Sequence, residues 1–195
     1  MSERWKPEEY VAGFRDVVDL YLTFLPYMIQ WTKIEGSTFL EIGCGSGKWS
    51  ALFACLGFRC ALVDNTPGMF DRVRKNFPMI SKTFFFIDDD ALDLENTPIE
   101  MFDIVFSEGL YEHFLEKGDR LKFAMNTYKS MKGGGTAIIM VPFKTGEEDE
   151  YQFESTEEMI DEWLQVFEKV RGFRFDSETE ATKFIGIIAI KRDKE

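Results

Sequence analysis

Residues 39–50 read Phe39-Leu40-Glu41-Ile42-Gly43-Cys44-Gly45-Ser46-Gly47-Lys48-Trp49-Ser50. The mostly apolar start predicts a buried strand, and Trp49, Leu52 and Phe53 predict a helix directly after the glycines. Glycine permits positive φ and lets the backbone contact a ligand, and the N-terminus of a helix offers unpaired N–H groups to an anionic group. The stretch therefore predicts a strand, a tight turn and a helix that together form a nucleotide-type site.

A second apolar strand, residues 58–63, ends at Asp64, which lies 21 residues after Gly43. In a parallel sheet the carboxyl end of the neighbouring strand lies beside the glycine turn, so a carboxylate there can accept hydrogen bonds from both hydroxyls of a ribose. The alternative is that Asp64 only caps the next helix. Asn65 and Thr66 are better placed to do so, ahead of a proline at the first turn. We therefore predict that Asp64 binds a ribose.

The spacing Gly-x-Gly-x-Gly, with Glu41 two residues before the first glycine, resembles the first motif of class I S-adenosylmethionine-dependent methyltransferases. A dinucleotide fingerprint requires its third glycine at position 48, where Lys48 stands, which disfavours a nicotinamide-dependent oxidoreductase. The resemblance covers about residues 36 to 192. It implies an α/β three-layer sandwich with a seven-stranded, mostly parallel sheet of order 3-2-1-4-5-7-6, the last strand antiparallel.

The resemblance implies S-adenosyl-L-methionine as the cofactor and S-adenosyl-L-homocysteine as its product. In the family an acid followed by a small residue binds the adenine, and these correspond to Asp90 and Ala91, with Asp89 as the alternative register for the acid. Met69 either contacts the face of the adenine or packs in the core. Ser107 and Glu108 would lie at the end of a strand, beside the methionine part of the cofactor. The cofactor-binding residues predicted in this way are Glu41, Gly43, Cys44, Gly45, Gly47, Asp64, Asn65, Met69, Asp89, Asp90, Ala91, Ser107 and Glu108.

Catalytic and acceptor-side candidates are few, because methyl transfer needs alignment of the two reactants more than reactive side chains. His113 is the only histidine and stands in an apolar-Glu-His-apolar sequence of a kind that recurs in the family. It is either a general base or, as we favour, a partly buried helix residue bonded to backbone. Tyr10, Tyr21 and Tyr111 are the candidates for contact with the acceptor. The alternative function is a non-catalytic regulatory or partner subunit, which the intact glycine turn and Asp64 disfavour.

Bulk properties limit the remaining function classes. The length of 195 residues suits one domain. Residues 36–195 are expected to form the methyltransferase domain. Residues 1–35 are expected to form helices of the same domain, which either only pack on the rest or also cover the ligand. The net charge of −12 without a basic cluster disfavours nucleic acid as a partner. No apolar run approaches the roughly 20 residues of a membrane span. We expect a cytoplasmic enzyme that acts on a small molecule rather than a protein.

Three cysteines without paired spacing predict no disulfide and no zinc or other metal site. Periodicity predicts the remaining elements. Helices are expected at residues 7–32, at 121–131 with Leu121, Ala124, Met125 and Tyr128 on the apolar face, and from the Ser155 capping box to Val170. Further strands are expected at 83–87, 102–106 and 136–141, followed by a terminal antiparallel pair, 173–176 with 183–190.

Overall fold

The structure is a computed structural model, and it describes residues 37–142, 153, 155–176 and 183–193. The helices predicted at 7–32, with Tyr10 and Tyr21, lie outside the described residues. The strands are β1 (Thr38–Ile42), β2 (Arg59–Asp64), β3 (Phe85–Asp88), β4 (Phe102–Glu108), β5 (Met131–Pro142), β6 (Lys169–Asp176) and β7 (Lys183–Ile190). The α-helices are α1 (Lys48–Cys55), α2 (Met69–Asn76), α3 (Lys117–Ser130) and α4 (Thr156–Trp163), and 3-10 helices span Ile80–Thr83 and Tyr111–His113.

The seven strands form one sheet of order β3-β2-β1-β4-β5-β7-β6, which confirms the predicted order. β1 lies between β2 and β4, and Leu40 is level with Ala61 of β2 and Val105 of β4 in parallel pairing. β7 runs antiparallel to both β5 and β6. The carboxyl ends of the first four strands therefore meet at one edge of the sheet, where α/β proteins place their ligands.

Alternation along β1 builds a hydrophobic core on each face of the sheet. Phe39 faces α1, and its ring stacks on that of Phe53 with centroids 3.9 Å apart. Leu40 belongs to the opposite core, together with Phe123 of α3 and Trp163 of α4. Each such buried side chain stabilises the fold by roughly 1.5–3 kcal/mol. The sheet is covered on both faces, as its apolar strands require.

The helix that begins after Ser155 is shorter than predicted, because it ends at Trp163 and residues 169–176 form β6 instead. Val170 is level with Ala189 in the ladder between β6 and β7. Gly172 lies in β6 at a point where the strand approaches α4 closely. A Cβ at this position would lie 2.6 Å from the Thr156 side chain of α4. Tertiary pairing has thus overridden the helical periodicity of this stretch.

Helix α3 buries a different face from the one predicted. The buried residues are Arg120, Phe123, Ala124, Thr127 and Ser130, whereas Met125 is exposed. They follow the helical spacing, shifted by one position from the predicted set. The pattern was hidden because three of the five buried residues are polar.

Strand boundaries also move. The strand predicted at 83–87 begins at Phe85, because Ile80–Thr83 form a 3-10 helix. The glycine-rich segment before residue 136 is part of β5 and carries a register shift opposite β4. Gly134 has a φ of 70° there, which identifies the segment as a bulge and not as a separate turn.

A buried polar network joins α3, α4 and the segment after β4. Arg120 donates from Nε and Nη2 to the Glu162 carboxylate at 2.7–3.0 Å. Its Nη1 donates to the carbonyl oxygens of Phe114 and Leu115 at 3.2 and 3.1 Å. The Tyr111 hydroxyl donates to Glu162 Oε2 at 2.7 Å. The network therefore fixes the backbone between residues 111 and 115.

We expect Arg120→Met to lower the free energy of unfolding by about 3–5 kcal/mol, because Glu162 would remain buried without its charge partner. The matched control is Arg192→Met. Arg192 pairs with Glu168 while both side chains stay about two-thirds exposed, so the loss should be below about 1 kcal/mol. Urea unfolding measures both, and equal small losses would contradict the structural role of the network.

Candidate functional site

A cavity of about 430 Å³ opens at the edge where β1, β2, β3 and β4 end. Its walls come from the glycine turn after β1, the loop between β2 and α2, the residues after β3 and the segment after β4. They include Gly43, Gly45, Asp64, Asn65, Thr66, Met69, Arg72, Asp89, Asp90, Ala91, Gly109, Leu110, His113 and Phe114. The volume is in the range of small-molecule sites.

The glycine turn is fixed to β2 and packed too tightly for larger residues. The backbone N–H groups of Gly43 and Cys44 donate to the carbonyl oxygen of Val63 at 2.9 and 3.1 Å. Gly43 has a φ of 72°, and a Cβ there would come within 2.9 Å of the Leu110 side chain. Gly47 has a φ of 74° and does not line the cavity; a Cβ there would meet Val73 of α2 at 2.7 Å. Glycine is thus required for packing as well as for ligand access.

Asp64 joins this turn to the loop that precedes α2. Its Oδ2 accepts from the backbone N–H of Gly45 at 3.1 Å, and its Oδ1 accepts from that of Thr66 at 2.9 Å. The side chain is partly exposed and lines the cavity. A carboxylate offers about four acceptor positions, so Asp64 keeps the capacity to accept from a ligand.

The predicted cap of α2 is wrong. The N-cap of this helix is Gly68, with no side-chain cap hydrogen bond, so neither Asp64 nor Asn65 nor Thr66 caps it. The chain makes an additional turn at residues 66–68 before the helix begins. This turn brings Asn65 and Thr66 to the cavity wall.

The acidic run after β3 divides between a structural and an accessible carboxylate. Asp89 is buried, and its Oδ2 accepts from the Asn96 backbone N–H at 2.9 Å and from the Thr97 hydroxyl at 2.8 Å. Asp90 is exposed, and its Oδ2 accepts from Asn65 Nδ2 at 2.9 Å. Both residues line the cavity, but of the two only Asp90 is exposed.

Four other predicted ligand contacts lie behind the cavity wall. Glu41 is buried and accepts from the backbone N–H of Ser50 at 2.9 Å. Burial raises its pKa to about 8. Cys44 is buried next to Asp64, and burial raises the pKa of its thiol. Ser107 is fully buried.

Glu108 is the fourth of these residues. Its carboxylate accepts from Lys48 Nζ at 2.9 Å and from the indole Nε1 of Trp49 at 2.5 Å. Its partners stand at the start of α1, directly after the glycine turn. We conclude that Glu108 holds the turn and the first helix against β4.

The two candidates after β4 differ in their surroundings. His113 is exposed and lines the cavity, so the favoured interpretation as a partly buried residue is wrong. Tyr111 has no exposed surface, and its hydroxyl is bonded to Glu162. The prediction that Tyr111 contacts an acceptor is therefore also wrong. In the 3-10 helix Tyr111–His113, successive residues point in different directions, which single-residue reasoning does not resolve.

Arg72 is a cavity residue that the sequence analysis missed. It lies one helical turn after Met69, so the i, i+3 spacing could have placed both on the same face of α2. Among the described residues, no hydrogen-bond partner faces its buried Nη1. The guanidinium brings a positive charge to a wall that otherwise carries three aspartates.

Glu112 was also missed, although it stands between Tyr111 and His113. Only 4% of the residue is exposed, and neither carboxylate oxygen has a hydrogen-bond partner in the described part of the chain. Oε1 lies 3.6 Å from the position that a Cβ at Gly109 would occupy. Burial raises the pKa of Glu112 from 4.5 to about 8; the residue's own backbone N–H offsets part of this rise, and the charge of Glu108 adds to it.

The cysteines Cys44, Cys55 and Cys60 are free thiols. Within the described ranges, no group of three or more His, Cys, Asp or Glu side chains is arranged to hold a metal ion. The helices of the same ranges include none that is long and apolar enough to cross a membrane.

Residues 39–135 match the sequence model of a family described as "Methyltransferase domain". No curated protein sequence matches the chain. A SAM-dependent methyltransferase from Archaeoglobus fulgidus superposes with a TM-score of 0.70 at 19% identity, covering 94% of this chain and 97% of that one. Phosphoethanolamine N-methyltransferase 2 of Haemonchus contortus, in complex with S-adenosyl-L-methionine, has a TM-score of 0.69 at 15% identity, covering 95% of this chain and 61% of that one.

The raised pKa of Glu112 predicts a pH-dependent effect of Glu112→Gln. The folded chain retains a proton that the unfolded chain releases above about pH 4.5, so the contribution of Glu112 to stability falls between about pH 4.5 and about pH 8 and is constant above. Glutamine does not ionise. We therefore expect Glu112→Gln to gain stability over the wild type, by a few kcal/mol, across this window.

Urea unfolding at several pH values measures this difference. The charge that acts on Glu112 is that of Glu108, which is paired with Lys48, and both residues are kept in both proteins. The control is Glu116→Gln, since Glu116 is exposed. Parallel stability curves for wild type and Glu112→Gln would contradict the prediction.

Proposed function

We infer that this chain is a class I S-adenosylmethionine-dependent methyltransferase, which the family match of residues 39–135 and the fold support, and we propose that it transfers the methyl group of S-adenosyl-L-methionine to a small-molecule acceptor. One observation carries the proposal. The glycine turn and Asp64 are joined by a hydrogen bond of 3.1 Å from the backbone N–H of Gly45 to Asp64 Oδ2, and both residues line the cavity. The turn can thus approach the ligand closely, and the acid beside it can accept from a ribose.

The described residues fit the cofactor. Asp64 is proposed to accept from the ribose hydroxyls, and Asp90, whose carboxylate is exposed beside Asn65, to accept the exocyclic amine of adenine. Met69 lies on the same wall and offers a polarizable contact to a ring. Gly43 and Gly45 leave room for the ligand against the backbone. The cavity wall carries three aspartates and one arginine, so its net negative charge suits a ligand with a net positive charge.

The bound cofactor supplies a methyl group on a positively charged sulfur, which is a good leaving group. The chain's own contribution is to hold the acceptor in line and to exclude water. The segment Gly109–Phe114 forms the cavity wall nearest to the end of β4 and is fixed by Arg120, so it is the proposed acceptor side. His113 in this segment is exposed and can take a proton from an acceptor that must lose one.

Isothermal titration with S-adenosyl-L-homocysteine tests the proposal, with NAD as the control ligand. We expect micromolar binding of the first and no binding of the second. Binding of NAD alone would favour an oxidoreductase. Failure of both to bind would favour a non-catalytic subunit and overturn the proposal.

We expect Asp64→Ala to weaken binding of S-adenosyl-L-homocysteine by about 1–3 kcal/mol, because the ribose hydroxyls would lose their acceptor. Isothermal titration reads out the change. Asp71→Ala is the control, since Asp71 is exposed on α2 and pairs with Arg74. Unchanged affinity in Asp64→Ala would refute the ribose assignment.

We expect His113→Ala to lower the rate of methyl transfer by about 10² or more if His113 is the base. The melting temperature and the affinity for S-adenosyl-L-homocysteine should stay unchanged, because the side chain is exposed. A drop in melting temperature without a loss of rate would instead assign His113 a structural role.

A further inference from the structure

Glu112 differs from the other carboxylates of the interior. Glu41 accepts from Ser50, Glu108 from Lys48 and Trp49, and Glu162 from Arg120 and Tyr111. Glu112 is equally buried, yet within the described ranges both of its oxygens lack a partner.

Burying a polar group without a partner costs free energy, and folded proteins rarely keep such groups. The segment that carries Glu112 is held in place on both sides. Tyr111 before it is bonded to Glu162, and the carbonyl oxygen of Phe114 after it is bonded to Arg120. The carboxylate therefore cannot relieve the cost by turning the segment toward water. Its unused acceptor capacity is available to a ligand.

The position of Glu112 connects it to the cavity. Gly109, Leu110, His113 and Phe114 line the cavity on both sides of it in the chain. A Cβ at Gly109 would lie 3.6 Å from Glu112 Oε1, so glycine leaves only a hydrogen at this point of the wall. Glu112 itself does not line the cavity. An acceptor would reach its Oε1 past Gly109, where the wall has no side chain.

We propose that Glu112 binds the amino group of the acceptor, which makes an amine the substrate class of this enzyme. The inference rests on the proposed function. Each of the two open oxygens needs a donor; an amine or ammonium group supplies two or more N–H donors, whereas a hydroxyl supplies one. A positively charged amine also compensates the buried charge. The net charge of −12 of the chain favours the approach of cations.

The reaction balances with groups already named. The bound ammonium group first releases one proton to His113, which passes it to solvent. The lone pair of the resulting neutral amine forms the new carbon–nitrogen bond while the bond between methyl and sulfur breaks, and the electron pair of the broken bond stays on the sulfur. The product nitrogen then carries a positive charge. Glu112 orients the nitrogen and is unchanged by the transfer.

A binding experiment separates Glu112 from the cofactor site. The protein is saturated with S-adenosyl-L-homocysteine and titrated with ethanolamine, butylamine and benzylamine. Each has a neutral counterpart in which a hydroxyl replaces the amino group, namely ethylene glycol, butanol and benzyl alcohol. We expect at least one amine to bind tenfold or more tightly than its counterpart. We expect Glu112→Gln to lose that preference and Glu116→Gln, exposed four residues away, to keep it.

The outcomes are distinct. If S-adenosyl-L-homocysteine binds and no amine is preferred, or if Glu112→Gln keeps the preference, the inference falls and the proposed function stands. If S-adenosyl-L-homocysteine does not bind, both fall. The titrations are made in EDTA, and binding of the amine only after addition of Mg²⁺ would assign the carboxylate to a metal ion and overturn the inference.

A second measurement needs no variant. The wild-type protein, labelled with ¹³C at the glutamate carboxyl carbons, is titrated with acid with and without the preferred amine. A cation bound at Glu112 favours its ionised form, so the pKa of this carboxyl should fall when the amine is present. An unchanged titration would overturn the inference. Mass spectrometry of the amine after incubation with S-adenosyl-L-methionine should show the added methyl group.

Discussion

The hydrogen bond from the backbone N–H of Gly45 to Asp64 is the contact on which the site depends. It joins the turn after β1 to the end of β2, and the N–H groups of Gly43 and Cys44 reinforce this link by donating to the carbonyl oxygen of Val63. Parallel pairing of β1 with β2 sets the two strand ends level, since Ile42 is paired with Val63. The sheet thus fixes the distance between a close-approach backbone and an acceptor carboxylate before any ligand arrives.

Carboxylates serve two purposes in this chain, and their partners distinguish them. Glu41, Asp89 and Glu162 are buried and bonded to neighbouring groups of the chain, so they connect elements. Asp64 and Asp90 are partly or fully exposed and keep acceptor capacity at the cavity. The same residue type therefore builds the wall or faces the ligand, depending on burial and on how many donors the chain supplies. Composition alone does not separate these uses.

The sequence predicted the parts that local chemistry determines. The glycine turn and Asp64 at the end of the second strand are confirmed, because periodicity and glycine spacing specify them. The order of the strands, which the family resemblance implied, is confirmed as well. The structure also places Asp90 at the cavity in a loop that the acidic run marked.

The errors arise where distant residues decide. Residues 169–176 form β6 and not the end of a helix, because they pair with β7. The buried face of α3 was predicted wrongly because Arg120 is buried on it, where it is bonded to Glu162 of α4. Tyr111 was predicted to face a ligand, but its hydroxyl donates a hydrogen bond to Glu162, which lies 51 residues later in the chain. Glu112 was not predicted as a site residue, because a sequence does not show which buried carboxylates lack a hydrogen-bond donor. Such pairings belong to tertiary structure and leave no local signal.

The network around Arg120 explains how an unpaired acid can persist at Glu112. An isolated turn would rotate to hydrate a buried carboxylate, since the cost of leaving it dry exceeds that of a few backbone rotations. Here the Arg120 guanidinium donates to the carbonyl oxygens of Phe114 and Leu115, and the hydroxyl of Tyr111 donates to Glu162. Rotation of the segment would break these buried bonds, each of which would leave an unsatisfied group. Satisfied polar contacts on both sides thus hold one unsatisfied acid at the cavity, a form of preorganisation that the fold maintains at the expense of stability.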